Sequence, residues 1–269
     1  MPTINVRGID FFYQESGNGT PILLIHGAAG DADVWSSVFG SLARHHRVIS
    51  YDRRAHTRSK ATPPPPAENY STHGEDAGAL LRALAAAPAI VVGWSGGGLA
   101  ALHLASRHPD LVTSLILEEA PFQVLTNLTP DAAATFQRVG QLAGEGRLRD
   151  AAETFLRFAS SYRTGGSAFD TFEPAIRESM LANAATLLSE LQAGTGEELT
   201  ADQLGRISCP VACLVGELTP QVLVAGTDRL VGFLPQARII QIVGAAHVMH
   251  IDQPERFVEA VESAILAKA

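Results

Sequence analysis

Ala89-Ile90-Val91-Val92-Gly93-Trp94-Ser95-Gly96-Gly97-Gly98-Leu99 is a short apolar run that breaks abruptly into glycines around one serine. It reads as a strand, a tight turn and the start of a helix. A strand that reverses into a helix within a few residues strains the backbone of the turn residue, and small neighbours two positions before and after it relieve the crowding. Gly93 and Gly96 to Gly98 supply that room. The turn pushes the Ser95 hydroxyl out at the strand's carboxyl end, where amides of a helix N-terminus stabilise negative charge. This is the G-x-S-x-G pattern of a nucleophile elbow. With 24 Gly in 269 residues the pattern arises by chance too readily to decide anything alone. A base, an acid and an oxyanion site must accompany it.

Outward from the elbow, 97–107 continues as a helix and 112–117 is the next strand. Upstream, a helix over 70–87 ends at Pro88, and 21–25 is a continuous apolar run of the kind shown by parallel strands buried on both faces. Residues 9–14 and 48–51 read as further strands with a helix over 33–44 between them, and the proline run at 63–66 as a stiff connector. Strands alternating with helices predict a mostly parallel, doubly wound α/β sheet. Beyond 122 the rhythm stops: 131–142, 148–162 and 174–191 are helical in pattern, and no convincing strand follows until 211–216. A helix near 222–233, a strand at 238–243 and a closing helix at 254–266 complete the chain. The expected organisation is an α/β core over 1–121 and 208–269, interrupted by an all-helical insertion over 122–207.

A chain of 269 residues that is 46% hydrophobic can bury one large core, or one core with a sizeable insertion. The formal net charge is −8 and the basic residues are scattered, which argues against a nucleic-acid surface. No stretch approaches the ~20 apolar residues of a membrane span. Residues 1–7 lack a charged leader followed by an apolar core, so a cytoplasmic location is expected. Cys209 and Cys213 lie four apart in one extended stretch, about 13 Å at ~3.3 Å per residue. They cannot bridge each other, and without partner histidines they make a poor metal site, so they read as buried small side chains.

A base for Ser95 should be a histidine on a loop after a late strand. His247 follows Ile239-Ile240-Gln241-Ile242-Val243-Gly244-Ala245-Ala246, just ahead of the last helix, and a neutral imidazole can take the hydroxyl proton near neutral pH. His250 is the alternative in the same loop; His103 and His108 read as helix-surface residues. The oxyanion needs two converging donors. One is the amide of Gly96, directly after the nucleophile; the other is the amide of Ala28, in the small-residue loop His26-Gly27-Ala28-Ala29-Gly30 that follows the first long apolar strand.

The elbow, the earlier H-G-x-x-G loop and the late histidine together resemble the α/β-hydrolase superfamily. The resemblance covers the whole chain apart from the insertion, which would be the lid of an α/β-hydrolase fold. It implies an acid between Ser95 and His247, usually just after the strand at 211–216. Here that segment reads Gly216-Glu217-Leu218-Thr219-Pro220, with Thr219 where many members carry Asp. A threonine cannot stabilise an imidazolium as a carboxylate does. Some subgroups hold the acid after the preceding strand, where Leu115-Ile116-Leu117-Glu118-Glu119-Ala120-Pro121 offers two carboxylates. Strand alternation lets only one of them face the histidine. Glu119 matches the subgroup position, with Glu217 and Glu118 as alternatives. The late Thr-Pro, the Glu and the loop Thr57-Arg58-Ser59-Lys60-Ala61-Thr62-Pro63-Pro64 are similar to the zearalenone-type lactone hydrolases, which implies lactone chemistry. The wider family tends to show glycine where this chain has Ala55 and Thr57. Members of the lactonase group carry a substrate-facing lid tryptophan, whereas the tryptophans here are Trp35 and Trp94, so the particular lactone stays open.

Phe122, Phe136, Phe155, Phe158, Phe169 and Phe172 put six of the 11 Phe in the insertion, beside Val124, Leu125, Met180, Leu187 and Leu188. Most must pack the insertion on the core, and the rest roof an apolar pocket, since a lid over a polar substrate would need directed polar groups. Trp94, Phe122, Leu187 and Leu188 are the candidate substrate contacts. Arg53, Arg54 and Arg58 could hold an anionic substrate, but loop salt bridges are their commoner use. The expected activity is a serine hydrolase that cleaves a carboxylic ester or lactone of a hydrophobic small molecule through an acyl-enzyme, with Ser95 attacking, His247 moving the proton, Glu119 orienting His247, and Ala28 and Gly96 holding the oxyanion. No metal, organic cofactor, nucleic acid or membrane is implied, and a homodimer stays open. C–C bond hydrolysis, cofactor-free oxygenation and a ligand receptor with vestigial hydrolysis are the remaining alternatives.

Overall fold

The computed structural model describes residues 2–59, 69–126, 128–195 and 199–266. The proline run expected as a connector at 63–66 lies outside the described residues. In chain order the elements are β1 (Thr3–Val6), β2 (Ile9–Ser16), β3 (Pro21–Ile25), α1 (Ser36–Leu42), β4 (Arg47–Tyr51), α2 (Tyr70–Ala83), β5 (Ala89–Trp94), α3 (Gly96–Arg107), β6 (Val112–Glu118), α4 (Pro130–Gly144), α5 (Leu148–Ala159), α6 (Pro174–Ala182), α7 (Ala184–Gln192), α8 (Ala201–Leu204), β7 (Val211–Gly216), α9 (Gln221–Val231), β8 (Ala237–Ile242), α10 (Met249–Asp252) and α11 (Pro254–Leu266).

The strands form one sheet in the order β1-β2-β4-β3-β5-β6-β7-β8. β1 pairs antiparallel with β2 and β2 antiparallel with β4, and every later pairing is parallel. From β3 the chain first moves to one side, to β4, and then returns to the other side through β5. The connections leaving the carboxyl ends of β3 and β5 therefore diverge, and a crevice opens there, where open parallel sheets place their ligands. The loops after these two strands are the H-G-x-x-G loop and the serine elbow.

The apolar runs are continuous because both sheet faces are covered. Alternation sends Leu23, Ile25, Val91 and Leu117 to a core shared with Leu80, Leu99 and Leu102 of α2 and α3. It sends Ile22, Leu24, Val92 and Ile116 to a core shared with Val38, Phe257 and Val261 of α1 and α11. Phe169, Phe172, Met180 and Leu187, from the segment between β6 and β7, extend the second core. That segment holds α4 to α8, and its described residues add only an isolated bridge between Ser161 and Ser167 outside the helices and turns.

Several boundaries differ from the sequence reading, three of them in ways that shape the fold. β1 was not anticipated; it is four residues long, closes on 9–12 through Gly8, and leaves Asn5 bonded to Asp10. The expected helix over 70–87 stops at Ala83, and Ala85 adopts φ +48 on the way into β5. The expected helix over 174–191 is two helices divided at Asn183.

Candidate active site

Ser95 sits between β5 and α3 with φ +52 and ψ −122, a conformation that costs a non-glycine residue about 1–3 kcal/mol and persists only where the surroundings enforce it. They do so here: the Ser95 amide donates to Glu118 O at 2.8 Å, and Ser95 O accepts from Gly98 N at 2.8 Å. The elbow also lies against the loop after β3. A Cβ at Gly97 would fall 2.1 Å from Ile25 O, and one at Gly93 would fall 2.6 Å from Gly97 O, so both positions require glycine.

His247 and Glu119 meet in front of the elbow. His247 Nδ1 lies 2.7 Å from Glu119 Oε2, and the other carboxylate oxygen accepts from Gly216 N at 2.9 Å. A carboxylate at Nδ1 fixes the tautomer that donates there, leaving Nε2 as the basic nitrogen. Glu119 reaches this position because its φ is +45, which swings its side chain away from that of Glu118. The histidine loop is tethered on two sides. Trp94 Nε1 donates to His247 O at 2.9 Å, and Asp252 accepts from Ala246 N at 2.9 Å while its other oxygen accepts from the Tyr162 hydroxyl at 2.9 Å.

Ser95, Gly96, Ala28, Glu119 and His247 line one cavity, together with Tyr70, Pro121, Val124, Leu125, Phe136, Phe155, Phe158, Leu191, Thr195 and Leu223. Phe136 meets Phe155 and Phe158 edge to face at 6.0 and 5.9 Å. Apart from the candidate catalytic side chains, the described residues of the wall carry no charged group.

The four expected substrate contacts lie elsewhere. The Trp94 indole is buried behind the histidine loop and spends its N–H on His247 O. Phe122 is fully buried, edge to face with Phe233 at 5.8 Å. Leu187 belongs to the second core, and Leu188 packs with Val139, Leu142 and Ala151. The physical reason is helix rotation: α4 and α5 turn Phe136, Phe155 and Phe158 to the cavity, while α7 turns Leu191 to it and Leu187 into the core.

Of the alternative acids, Glu217 accepts from Gly244 N at 2.9 Å, and Glu118 is paired with His250 at 2.9 Å. Thr219 is buried beside Gly216. The three arginines are committed to ion pairs: Arg53 to Glu190, Arg54 to Asp76, and Arg58 to Asp52 and Asp33. His103 is buried inside α3 rather than on its surface, while His108 pairs with Glu75 at 3.1 Å. Among the described residues no group of three His, Cys, Asp or Glu side chains is placed to hold a metal, and no helix is long and apolar enough to cross a membrane.

Sequence reasoning overlooked Asn183 and Glu190. Asn183 breaks a helical stretch, and Glu190 lies among Leu187, Leu188 and Leu191 yet is fully buried. A polar residue at an apolar helical position is the signal each of them carries.

The sequence pattern of the alpha/beta hydrolase fold matches residues 20–254. The chain belongs to this family. A pimeloyl-[acyl-carrier protein] methyl ester esterase of Chromobacterium violaceum is 30% identical over 259 residues, which is 94% of this chain and 97% of that one. The uncharacterized hydrolase YraK of Bacillus subtilis is 40% identical over 117 residues, 44% of this chain and 43% of its own. Among solved structures, the enol-lactonase from Burkholderia xenovorans LB400 superposes with a TM-score of 0.78, covering 98% of this chain and 100% of that one at 21% identity.

Proposed function

We propose that this chain is a serine hydrolase of carboxylic esters or lactones of hydrophobic small molecules, working through an acyl-enzyme. The observation that carries the reading is that Ser95, His247 and Glu119 line one apolar cavity, with Glu119 2.7 Å from the nitrogen of His247 that is not needed as base. The 30% identical methyl ester esterase supports ester cleavage as the reaction class.

In this reading Ser95 Oγ attacks the substrate carbonyl carbon as its proton passes to His247 Nε2, and Glu119 stabilises the imidazolium that forms. The carbonyl electron pair moves onto oxygen, to which the amides of Gly96 and Ala28 donate hydrogen bonds. Collapse of the tetrahedral intermediate expels the alkoxide, which takes the proton back from His247. In a lactone that alkoxide remains attached to the acyl chain. Water, deprotonated by His247, then releases the acid and restores Ser95. The segment over 122–207 acts as a lid on the core formed by 1–121 and 208–269, and Phe136, Phe155, Phe158, Val124, Leu125 and Leu191 receive the apolar part of the substrate. The apolar side chains among the described lining residues favour neutral acyl groups, because an unpaired charge buried against them goes unsolvated.

A fluorophosphonate probe should modify Ser95, identified by peptide mass, and Ser95→Ala should abolish both labelling and turnover. Hydrophobic esters and lactones of several ring sizes should be hydrolysed with a burst equal to the labelled fraction. Absence of labelling in intact protein with accessible Ser95 overturns the acyl-enzyme.

A further inference from the structure

We infer that the helical segment between β6 and β7 is part of the oxyanion hole: Glu190 and Asn183, both carried by that segment, are positioning residues that aim the Ala28 amide at the reacting carbonyl oxygen. The inference rests on the reading of Ala28 as an oxyanion donor.

One peptide plane ties the β3 loop to the oxyanion site. The carbonyl of Gly27 and the N–H of Ala28 belong to the same trans peptide, so they point in opposite directions and cannot be turned separately. Whatever holds Gly27 O on the side away from the cavity holds the Ala28 N–H toward it. Gly27 O accepts three bonds: from Gly30 N at 3.1 Å, from His26 Nδ1 at 2.8 Å and from Arg53 Nη2 at 2.9 Å. Arg53 also donates its own amide to His26 Nε2 at 2.9 Å, so it fixes the ring that supplies the second of those bonds.

Arg53 is in turn held by the lid. Its guanidinium meets the Glu190 carboxylate of α7 in a two-pronged pair, at 2.5 Å from Nη1 and 3.2 Å from Nη2, and both side chains are fully buried. His73 Nε2 lies 3.1 Å from the same carboxylate, and His56 packs against both His26 and His73. Burial alone would raise the Glu190 carboxyl, but the Arg53 guanidinium together with His56 and His73 keeps it well below the usual carboxylate range. A buried charge pair of this kind is a costly way to hold the loop after β4 to α7, since apolar side chains of the same volume often do as well or better. Its geometry matters here because the same guanidinium orients a backbone carbonyl.

The second grip is independent of the first. Asn183, at the break between α6 and α7, donates through Nδ2 to Ala29 O at 3.0 Å and Gly30 O at 3.3 Å. It also accepts from Thr57 N at 2.9 Å and donates to Thr57 Oγ1 at 2.8 Å. Ala29 has φ +60 and Thr57 φ +33, a region that a β-branched residue avoids, so both backbones need external support. One lid side chain supplies it to both. Three carbonyls of the β3 loop, those of Gly27, Ala29 and Gly30, are therefore held through Arg53–Glu190 or through Asn183.

Two variants test this. Arg53→Met/Glu190→Met removes both charges together and leaves no unpaired charge to unfold the chain. Asn183→Asp keeps the acceptor for Thr57 N but loses the donor to Ala29 O and Gly30 O. Each is compared with wild type by kcat per fluorophosphonate-labelled site on one neutral aryl ester, by KM, and by the affinity of phenylboronic acid, whose tetrahedral adduct on Ser95 places an oxygen in the hole without turnover. Removal of a whole oxyanion donor costs about 10²–10³ in kcat, so misaiming one should cost about 10- to 100-fold in the double variant and less in Asn183→Asp, with KM within about twofold. Boronate affinity should fall in proportion to kcat. A purely structural role lowers the melting midpoint while kcat per labelled site and boronate affinity stay at wild-type values, and that outcome in either folded variant overturns the inference. If the double variant does not fold, Asn183→Asp decides alone. Failure of the wild type to take the fluorophosphonate or the boronate overturns the proposed chemistry itself, and is thereby distinguished from failure of the lid to act on it.

Discussion

Glu118 and Glu119 are adjacent in sequence, and each holds a histidine from the loop after β8. Glu119 takes His247 at 2.7 Å, and Glu118 takes His250 at 2.9 Å through both oxygens. As chemistry the two pairs are nearly the same. The first, however, lines the cavity of Ser95, whereas the second is sealed between Trp35 at 4.4 Å, Trp94 at 5.0 Å and Phe257 at 5.9 Å. The difference comes from the backbone. Glu118 is the last extended residue of β6 and points where strand alternation sends it, while Glu119 leaves the strand at φ +45 and points across to β7, where Gly216 N donates to it. A Glu–His pair becomes a candidate catalytic dyad through where the chain turns, not through the pairing itself.

The largest test of that contrast is a matched pair of amides. By analogy with other triad acids, Glu119→Gln should lower kcat by about 10³–10⁴, since the amide no longer stabilises the imidazolium and favours the wrong tautomer. Glu118→Gln and Glu217→Gln should leave kcat per labelled site within about threefold of wild type, because neither carboxylate contacts the reacting groups. Steady-state hydrolysis of one ester by the three variants, normalised to labelled Ser95, ranks them. A larger loss in Glu118→Gln would make His250 the base and reverse the comparison.

Stability should rank the same variants in another order. Glu118 accepts from the amide and the ring of His250, and neither group has water to turn to. Glu118→Gln should cost about 1–3 kcal/mol, the usual penalty for unpairing buried polar groups, seen as a lower urea midpoint with an unchanged slope. Glu217 is only half-buried and bonds one loop amide, so Glu217→Gln should move the midpoint least.

What could be read in advance follows the range of the interactions involved. The elbow was legible because its constraint is local: a strand, one strained residue and the glycines around it lie within eleven positions. The parallel sheet was legible because strands buried on both faces show as unbroken apolar runs. The place of Glu119 was legible only indirectly, through the absence of a carboxylate at Thr219. The segment between β6 and β7 was not, beyond its being helical. An apolar helix position must be buried, but whether it meets the core or a cavity depends on how the helix is rotated against partners far away in sequence. Leu187 and Phe136 look alike in the sequence, yet one joins the second core and the other roofs the cavity. The break at Asn183 is set by carbonyls more than 150 positions away, which no local pattern reports.

Trp94 stands between the two pairs and offers the finest test of how separate they are. Its ring centroid is 6.0 Å from that of His247 and 5.0 Å from that of His250, and its Nε1 donates to the His247 carbonyl. Trp94→Phe keeps an aromatic partition but removes that bond. The buried carbonyl then lacks its donor, which should cost about 0.5–1.5 kcal/mol in stability. Turnover should respond less. If the imidazole is aimed by Glu119, itself fixed by Gly216 N, losing one backbone tether should lower kcat by no more than about threefold. The melting midpoint and kcat per labelled site, measured on the same sample, separate the two effects. A loss of kcat as deep as that of Glu119→Gln would mean that the loop, rather than the carboxylate, orients the imidazole, and that the sealed pair, which packs against the same indole, takes part in holding the active one.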